Sequence, residues 1–187
     1  MRAEFPRFRI VPKLGSTLSR AIDLALKVVT LGGQRHYMTR YHTVIGDTLY
    51  VPTVWENMSD VARVILLRHE RVHLLQRRRY GFALFAFLYL VPFLPLGLAY
   101  CRARLEWEAY RETLRATAEL RGPEAARANA LRREIVARFV GPDYAWMWPF
   151  PRAVNRWFDQ ALAELTPLSP HDSNSNKQHD RLPVRPA

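Results

Sequence analysis

Residues 60–80 contain neither proline nor glycine, and they carry two histidines four residues apart. Ser59 followed by Asp60 is typical of a helix start, because the serine side chain caps a backbone N–H and the carboxylate complements the helix dipole. Within this predicted helix, residues 69–73 read H-E-R-V-H. Side chains four residues apart lie one turn apart on the same helix face, so His69 and His73 can reach one metal ion.

The H-E-x-x-H sequence predicts a metal site with its own base. Histidine pairs at this spacing are typical of zinc sites, in which imidazole nitrogens serve as ligands. Glu70 adjoins the first ligand, where its carboxylate can take a proton from an activated water. We therefore expect Zn²⁺ bound by His69 and His73, with Glu70 as the catalytic base.

A catalytic zinc site needs a third protein ligand and one open position. The histidine candidates outside the C-terminal tail are His36 and His42. The carboxylate candidates are Glu106 and Glu108, which point to nearly opposite sides of a predicted helix, so only one can face the metal. We favour Glu106, because Ala109 on its face would let the two helices approach closely, and Glu108 remains the alternative.

A β-hairpin is predicted over residues 42–52, directly upstream of the metal helix. β-Branched and aromatic residues flank Gly46-Asp47, a pair typical of tight turns. A strand edge beside a metal helix is a place where an extended peptide can bind by adding a strand.

The run 82–100 is uncharged over its whole length and is long enough to span a bilayer. A single crossing would place His73 and Glu106 on opposite sides of the membrane, where they could not share one ion. Pro92 and Pro95 break the run instead. We therefore predict a helical hairpin, which is either buried in the core or dips an apolar tip into a membrane.

The chain has a net charge of +11, and 25 of its 28 basic residues are arginine. Such a balance either reflects an arginine-rich composition spread over solvated helix faces or favours an anionic partner. The densest cluster, Arg77–Arg79, precedes the apolar run, which favours a membrane surface through residues 77–100. No nucleic-acid motif with interleaved aromatics is present, so we expect no nucleic-acid partner. The metal site and the hairpin edge favour a peptide or protein substrate instead.

The overall pattern predicts an α+β, mainly helical fold. Residues 1–165 are expected to form a single domain, and residues 166–187, rich in Pro, Ser and Asn, a disordered tail. The lone Cys101 excludes an intramolecular disulfide. Residues 1–15 lack the apolar core of a signal peptide, so we expect a cytoplasmic protein, peripheral to or shallowly inserted in the inner membrane. Helices are predicted at 17–29, 60–80, 101–120, 123–139 and 152–165, with two short strands over 36–52.

The H-E-x-x-H sequence followed by Glu106-x-x-Ala109 resembles the gluzincin metallopeptidases. It is most similar to the branch that contains the prenyl-protein peptidases and related membrane heat-shock proteases. In that branch the glutamate of a Glu-x-x-Ala-Asp helix is the third zinc ligand, which implies this role for Glu106. Tyr110 departs from the pattern. The branch has an Asp at this position, and that Asp orients a ligand histidine. The tail of the motif, His73-x-x-Gln76, also resembles small uncharacterised bacterial gluzincins.

The resemblance covers about residues 42–113 and implies a minimal zincin-like core with zinc metallopeptidase activity. Peptide hydrolysis would also need a hydrogen-bond donor for the oxyanion, for which Tyr110, Arg111 and Tyr144 are candidates; Tyr144 lies in an aromatic turn that is more typical of core packing. The alternative is a basic membrane-surface binding protein whose metal site is non-catalytic or degenerate.

Overall fold

The computed structural model describes residues 1–29, 37–90, 97–141 and 147–165. It is mainly helical with one small sheet, which confirms the predicted α+β fold class. The predicted tail at 166–187 lies outside the described residues. The elements in chain order are β1 (Arg9–Pro12), α1 (Thr17–Val29), α2 (Tyr37–Arg40), β2 (Thr43–Ile45), β3 (Thr48–Val51), a 3₁₀ turn (Thr53–Trp55), α3 (Asp60–Tyr80), α4 (Phe82–Leu90), α5 (Gly97–Arg121), α6 (Pro123–Arg127), α7 (Asn129–Val140) and α8 (Pro151–Leu165).

The sheet has the strand order β1-β3-β2. β2 and β3 form the predicted antiparallel hairpin, with Ile45 opposite Thr48 and a two-residue turn in which Gly46 has φ 59°. β1 lies parallel to the other side of β3, an element that the sequence did not predict. The two strands predicted within 36–52 lie at 43–45 and 48–51, and residues 37–40 form one helical turn that the sequence did not predict.

The predicted metal helix is confirmed at both ends. The Ser59 side chain accepts a hydrogen bond from the backbone N–H of Ala62 at 3.2 Å, which caps the first turn. α3 ends at Gly81, whose φ of 75° is a backbone conformation that side chains disfavour. α4 begins at the next residue, so the chain changes direction directly after the arginine triplet.

The apolar run is divided between α4 and α5, with residues 91–96, including both prolines, outside the described part. No helix among the described residues is both long and apolar enough to cross a membrane. α5 begins at residue 97 instead of 101, since nothing after Gly97 interrupts a helix. The helix predicted at 123–139 is divided at Ala128, whose ψ of 129° is not helical.

α3 and α5 pack against each other along their lengths. Ala109 and Ala116 are fully buried, and small side chains allow close approach of the two backbones. Arg68 on α3 ties the helices together, since it donates to Glu112 at 2.6 Å and also pairs with Glu119. This close, cross-linked pair carries the candidate metal ligands.

Two hydrophobic clusters hold the α3–α5 pair in place. The first joins α5 to α7 and α8 around Trp107, Phe139 and Phe158. The second joins the sheet and the N-terminal segment to α3, with Leu49 of β3 and Leu74 of α3 both fully buried. The ligand-bearing helices are therefore packed against a helical layer through α5 and against the sheet through α3.

Candidate metal centre

The side chains of His69, His73 and Glu106 converge between α3 and α5. The two histidine Nε2 atoms are 3.3 Å apart. Oε2 of Glu106 lies 3.9 Å from Nε2 of His69 and 3.7 Å from Nε2 of His73. The three residues form a group that could hold a metal ion. Glu106 is only 1% exposed, so its carboxylate is buried.

The spacing of these atoms fits a tetrahedral ion. Bonds of roughly 2.0–2.1 Å from zinc to nitrogen or oxygen place neighbouring tetrahedral ligand atoms about 3.3 Å apart. The observed separations of 3.3, 3.7 and 3.9 Å match this value or exceed it slightly. A small inward movement of Glu106 would complete three corners of the tetrahedron.

Gln76 fixes the orientation of His73. The Gln76 amide nitrogen donates to the carbonyl oxygen of Leu105 at 2.9 Å and to Oε2 of Glu108 at 2.8 Å. Its amide oxygen is therefore an acceptor, and it lies 3.0 Å from Nδ1 of His73. These partners assign the ring proton to Nδ1, which leaves the Nε2 lone pair of His73 directed at the centre.

Thr113 has the same role for His69. The Thr113 hydroxyl donates to the carbonyl oxygen of Ala109 at 3.2 Å, so it accepts from Nδ1 of His69 at 3.0 Å. The Nε2 lone pair of His69 therefore also points inward. Sequence reasoning missed Thr113, although its position two turns beyond Glu106 places it on the same face of α5.

The electrostatics of the centre favour a cation. Two imidazole lone pairs and one carboxylate oxygen, all acceptors, face one another at short distances. Burial, and next the proximity of His73, hold the pKa of the His69 imidazole well below its ordinary value. His69 therefore does not supply the missing positive charge by protonation, whereas a bound metal ion would.

Glu108, the alternative third ligand, has a different position. Its carboxylate is not in the convergent group and instead accepts the hydrogen bond from Gln76. The two glutamates thus separate as their spacing predicted, with Glu106 buried at the centre and Glu108 beside Gln76. Glu108 holds the side chain that contacts His73, a position that the resemblance did not assign to any residue.

Glu70 is a buried carboxyl group beside the ligand set, with 8% of its surface exposed. Burial raises its pKa to about 7; proximity to His73 opposes the rise and the nearby Glu106 adds to it. A carboxylate whose pKa lies near neutrality can both take and return a proton at neutral pH.

The other residues that the sequence proposed are the three oxyanion candidates and the ligand candidate His36. Tyr110 packs edge-on against His69, with ring centroids 4.9 Å apart, so it adjoins the centre. Arg111 forms an ion pair with Glu164 on α8, which partly neutralises its charge. His36 and Tyr144 lie outside the described residues.

His42, the other histidine candidate, is outside the ligand group but close to it. Its ring packs edge-on against Trp55 at 5.9 Å. Burial, then the nearby charges of Lys13 and Arg138, lower the pKa of His42 to about 4. Its proximity also contributes to the lowered pKa of His69. Since His42 directly precedes β2, the start of this strand lies within electrostatic range of His69.

Comparison with known proteins gives no relative: no protein-family profile, no curated protein and no solved structure matches this chain.

Proposed function

We propose that this protein is a zinc-dependent metallopeptidase of the gluzincin type. The observation that carries the proposal is the convergence of two inward-facing Nε2 lone pairs and a buried carboxylate, with a second buried carboxyl group beside them. His69, His73 and Glu106 are the ligands that would hold zinc. The oxygen and nitrogen donor set, with no cysteine, is that of a catalytic site and not of a structural thiolate site.

In this proposal the bound zinc supplies Lewis-acid activation of a water and of the substrate carbonyl. Glu70 takes the proton from the attacking water and returns it to the leaving amine nitrogen. Its pKa of about 7 suits both steps, because the same group must be a base and then an acid at one pH. Tyr110, whose ring contacts His69, is the candidate that we assign to donate a hydrogen bond to the developing oxyanion.

The orienting contacts also support the assignment. The resemblance left one ligand histidine without the Asp that normally orients it, because Tyr110 occupies that place. Thr113, three residues further along α5, holds His69, and Gln76 holds His73. Ligand histidines in metal sites almost always have such a partner for the second ring nitrogen.

We assign the outer edge of β2 as the place where an extended peptide binds. β3 is central, so it has no edge to offer, and β2 is terminal in the sheet of the described residues. Because Ile45 and Thr48 flank a two-residue turn, they form the hydrogen-bonded pair. The next residue, Val44, therefore turns its backbone N–H and C=O outward, where a substrate strand could pair with them.

Metal analysis of purified variants tests the assignment. We expect the wild-type chain to bind one zinc, Glu106→Gln to lose it, and Glu108→Gln to retain it, because a glutamine oxygen at position 108 can still accept the hydrogen bond from Gln76. Hydrolysis of a mixed fluorogenic peptide library is the second measurement, and it should follow the zinc content of these three proteins. Zinc retained by Glu106→Gln and lost by Glu108→Gln would reverse the ligand assignment. Stoichiometric zinc without hydrolysis of any peptide would reject the enzymatic role.

A further inference from the structure

The end of α3 and the start of α4 form a surface that is both apolar and basic. Three large apolar side chains of α4 are exposed, Phe82 by 66%, Leu84 by 48% and Phe87 by 52%. α4 carries no charged residue at all. We name these three side chains together with Arg7, Arg78 and Arg79 the α4 surface. Large apolar side chains that are exposed together are typical of a surface that binds a partner or a membrane.

Charge on the basic side of this surface is only partly neutralised. The hydrogen bond from Arg71 chiefly lowers the pKa of the nearby Glu4, and Arg78 contributes to this lowering but forms no ion pair with Glu4. Arg71 and Arg77 are held by Glu4 and Asp47 respectively. Arg7, Arg78 and Arg79 are exposed, and among the described residues no carboxylate lies within ion-pair distance of them. The three side chains therefore present net positive charge directly beside the exposed phenylalanines.

A cavity of about 560 Å³ joins the two halves of the surface. The N-terminal segment, the turn between β2 and β3, the end of α3 and the first residue of α4 all contribute to its wall. Arg7, Arg77, Arg78 and Phe82 line it, together with the carboxylates Glu4 and Asp47, which are paired with Arg71 and Arg77. Guanidinium groups next to an aromatic ring suit an anionic headgroup whose acyl chain continues along α4.

We propose that the α4 surface docks on an anionic phospholipid bilayer. Stable attachment to a membrane generally needs two signals, an apolar insertion and a basic patch, and this surface has both within one short stretch of chain. A protein partner would explain the exposed phenylalanines, but the arginines beside them, whose charge is only partly neutralised, favour a surface of dense negative charge. Gly81, whose φ of 75° is not helical, ends α3 directly before the exposed phenylalanines of α4. The proposal does not depend on the metal centre.

Co-sedimentation of the full-length protein with vesicles tests the proposal. We expect strong binding to vesicles of phosphatidylcholine mixed with phosphatidylglycerol, weak binding to phosphatidylcholine alone, and weakening at high salt. Arg78→Gln/Arg79→Gln should weaken binding about thirtyfold, since each basic residue near an anionic surface contributes roughly fivefold. Phe82→Ser/Phe87→Ser should weaken it at least about tenfold, because the apolar insertion is lost.

Matched variants separate this surface from the overall charge of +11. Arg121→Gln/Arg133→Gln removes the same charge from exposed positions on α5 and α7. Val61→Ser/Val64→Ser removes two exposed apolar residues at the opposite end of α3. Both controls should bind vesicles within about threefold of wild type, and thermal melting should show that all four variants fold.

Three outcomes would overturn the proposal. The first is no binding to anionic vesicles. The second is an equal loss of binding in the surface variants and their controls, which would mean general attraction to a basic chain. The third is a dimer in solution that Phe82→Ser/Phe87→Ser converts to a monomer while vesicles remain unbound, which would assign the surface to a second copy of the chain.

Discussion

Glu70 lies in the chain next to His69 but is not one of the three residues that converge, and its pKa of about 7 suits proton transfer. We expect Glu70→Gln to retain zinc and the fold but to lose hydrolysis at least about a hundredfold, the usual contribution of a general base. Zinc content and kcat of the same preparation check this. Glu134→Gln, on the exposed face of α7, is the control and should leave both unchanged. Release of zinc by Glu70→Gln would make Glu70 a ligand instead.

Thr113 is expected to act through His69, because it touches the ring nitrogen that faces away from the metal. Thr113→Val keeps the shape but removes the oxygen that accepts from Nδ1, so zinc affinity should fall about ten- to a hundredfold. Competition with a chromophoric chelator measures this. Thr113→Ser restores the hydroxyl and should recover most of the affinity. Equal affinity in the Val and Ser variants would show that Thr113 only fills space.

The three converging residues were easier to predict than the residues that support them. His69 and His73 follow from a spacing of four, and Glu106 from the face that it shares with Ala109. Thr113 and the position of Glu108 depend on how α5 is rotated against α3. That rotation is set by packing between residues more than thirty positions apart, such as Arg68 with Glu112, and no local pattern encodes it.

The outer edge of β2 is the element that we expect to hold a substrate backbone. Proline is tolerated in an edge strand where the N–H would face outward, as it does at Val44. Val44→Pro should therefore leave the fold intact but remove one hydrogen bond to the peptide, which raises KM about fivefold. Val44→Ala keeps the N–H and is the control. An unchanged KM in Val44→Pro would place the peptide elsewhere.

Elements with local signals were predicted well, and those that depend on distant partners were not. α3 has a capping serine and a terminal glycine, and the β2–β3 hairpin has its turn residues, so both follow from short stretches of sequence. β1 is a strand only because it lies parallel to β3, which comes much later in the chain. Its four residues begin with Arg9 and end with Pro12, so only two of them are typical strand formers and the sequence alone does not predict a strand.

The molecule as a whole keeps several titratable groups buried, and their shifted pKa values predict how its stability depends on pH. His42 and His69 have lowered pKa values, so they stabilise the fold above pH 6.5 and this stability is lost as pH falls toward their folded values. Glu70 has the opposite sign. Its raised pKa stabilises the fold below pH 4.5, and this contribution is lost as pH rises through about 7.

Between pH 6.5 and 4.5 the unfolded chain binds a proton at His42 that the folded chain, in which the pKa of His42 is about 4, mostly does not bind; the shifts of His69 and Glu70 have opposite signs in this window. We expect the unfolding free energy of the metal-free protein to fall by roughly 2 kcal/mol across this window, measured by urea titration at both pH values. His42→Phe should remove most of this decrease, because the ring can still pack on Trp55 and its buried Nε2 has no hydrogen-bond partner among the described residues to lose. If His42→Phe lost stability with acid as steeply as wild type, the acid sensitivity would belong to other groups.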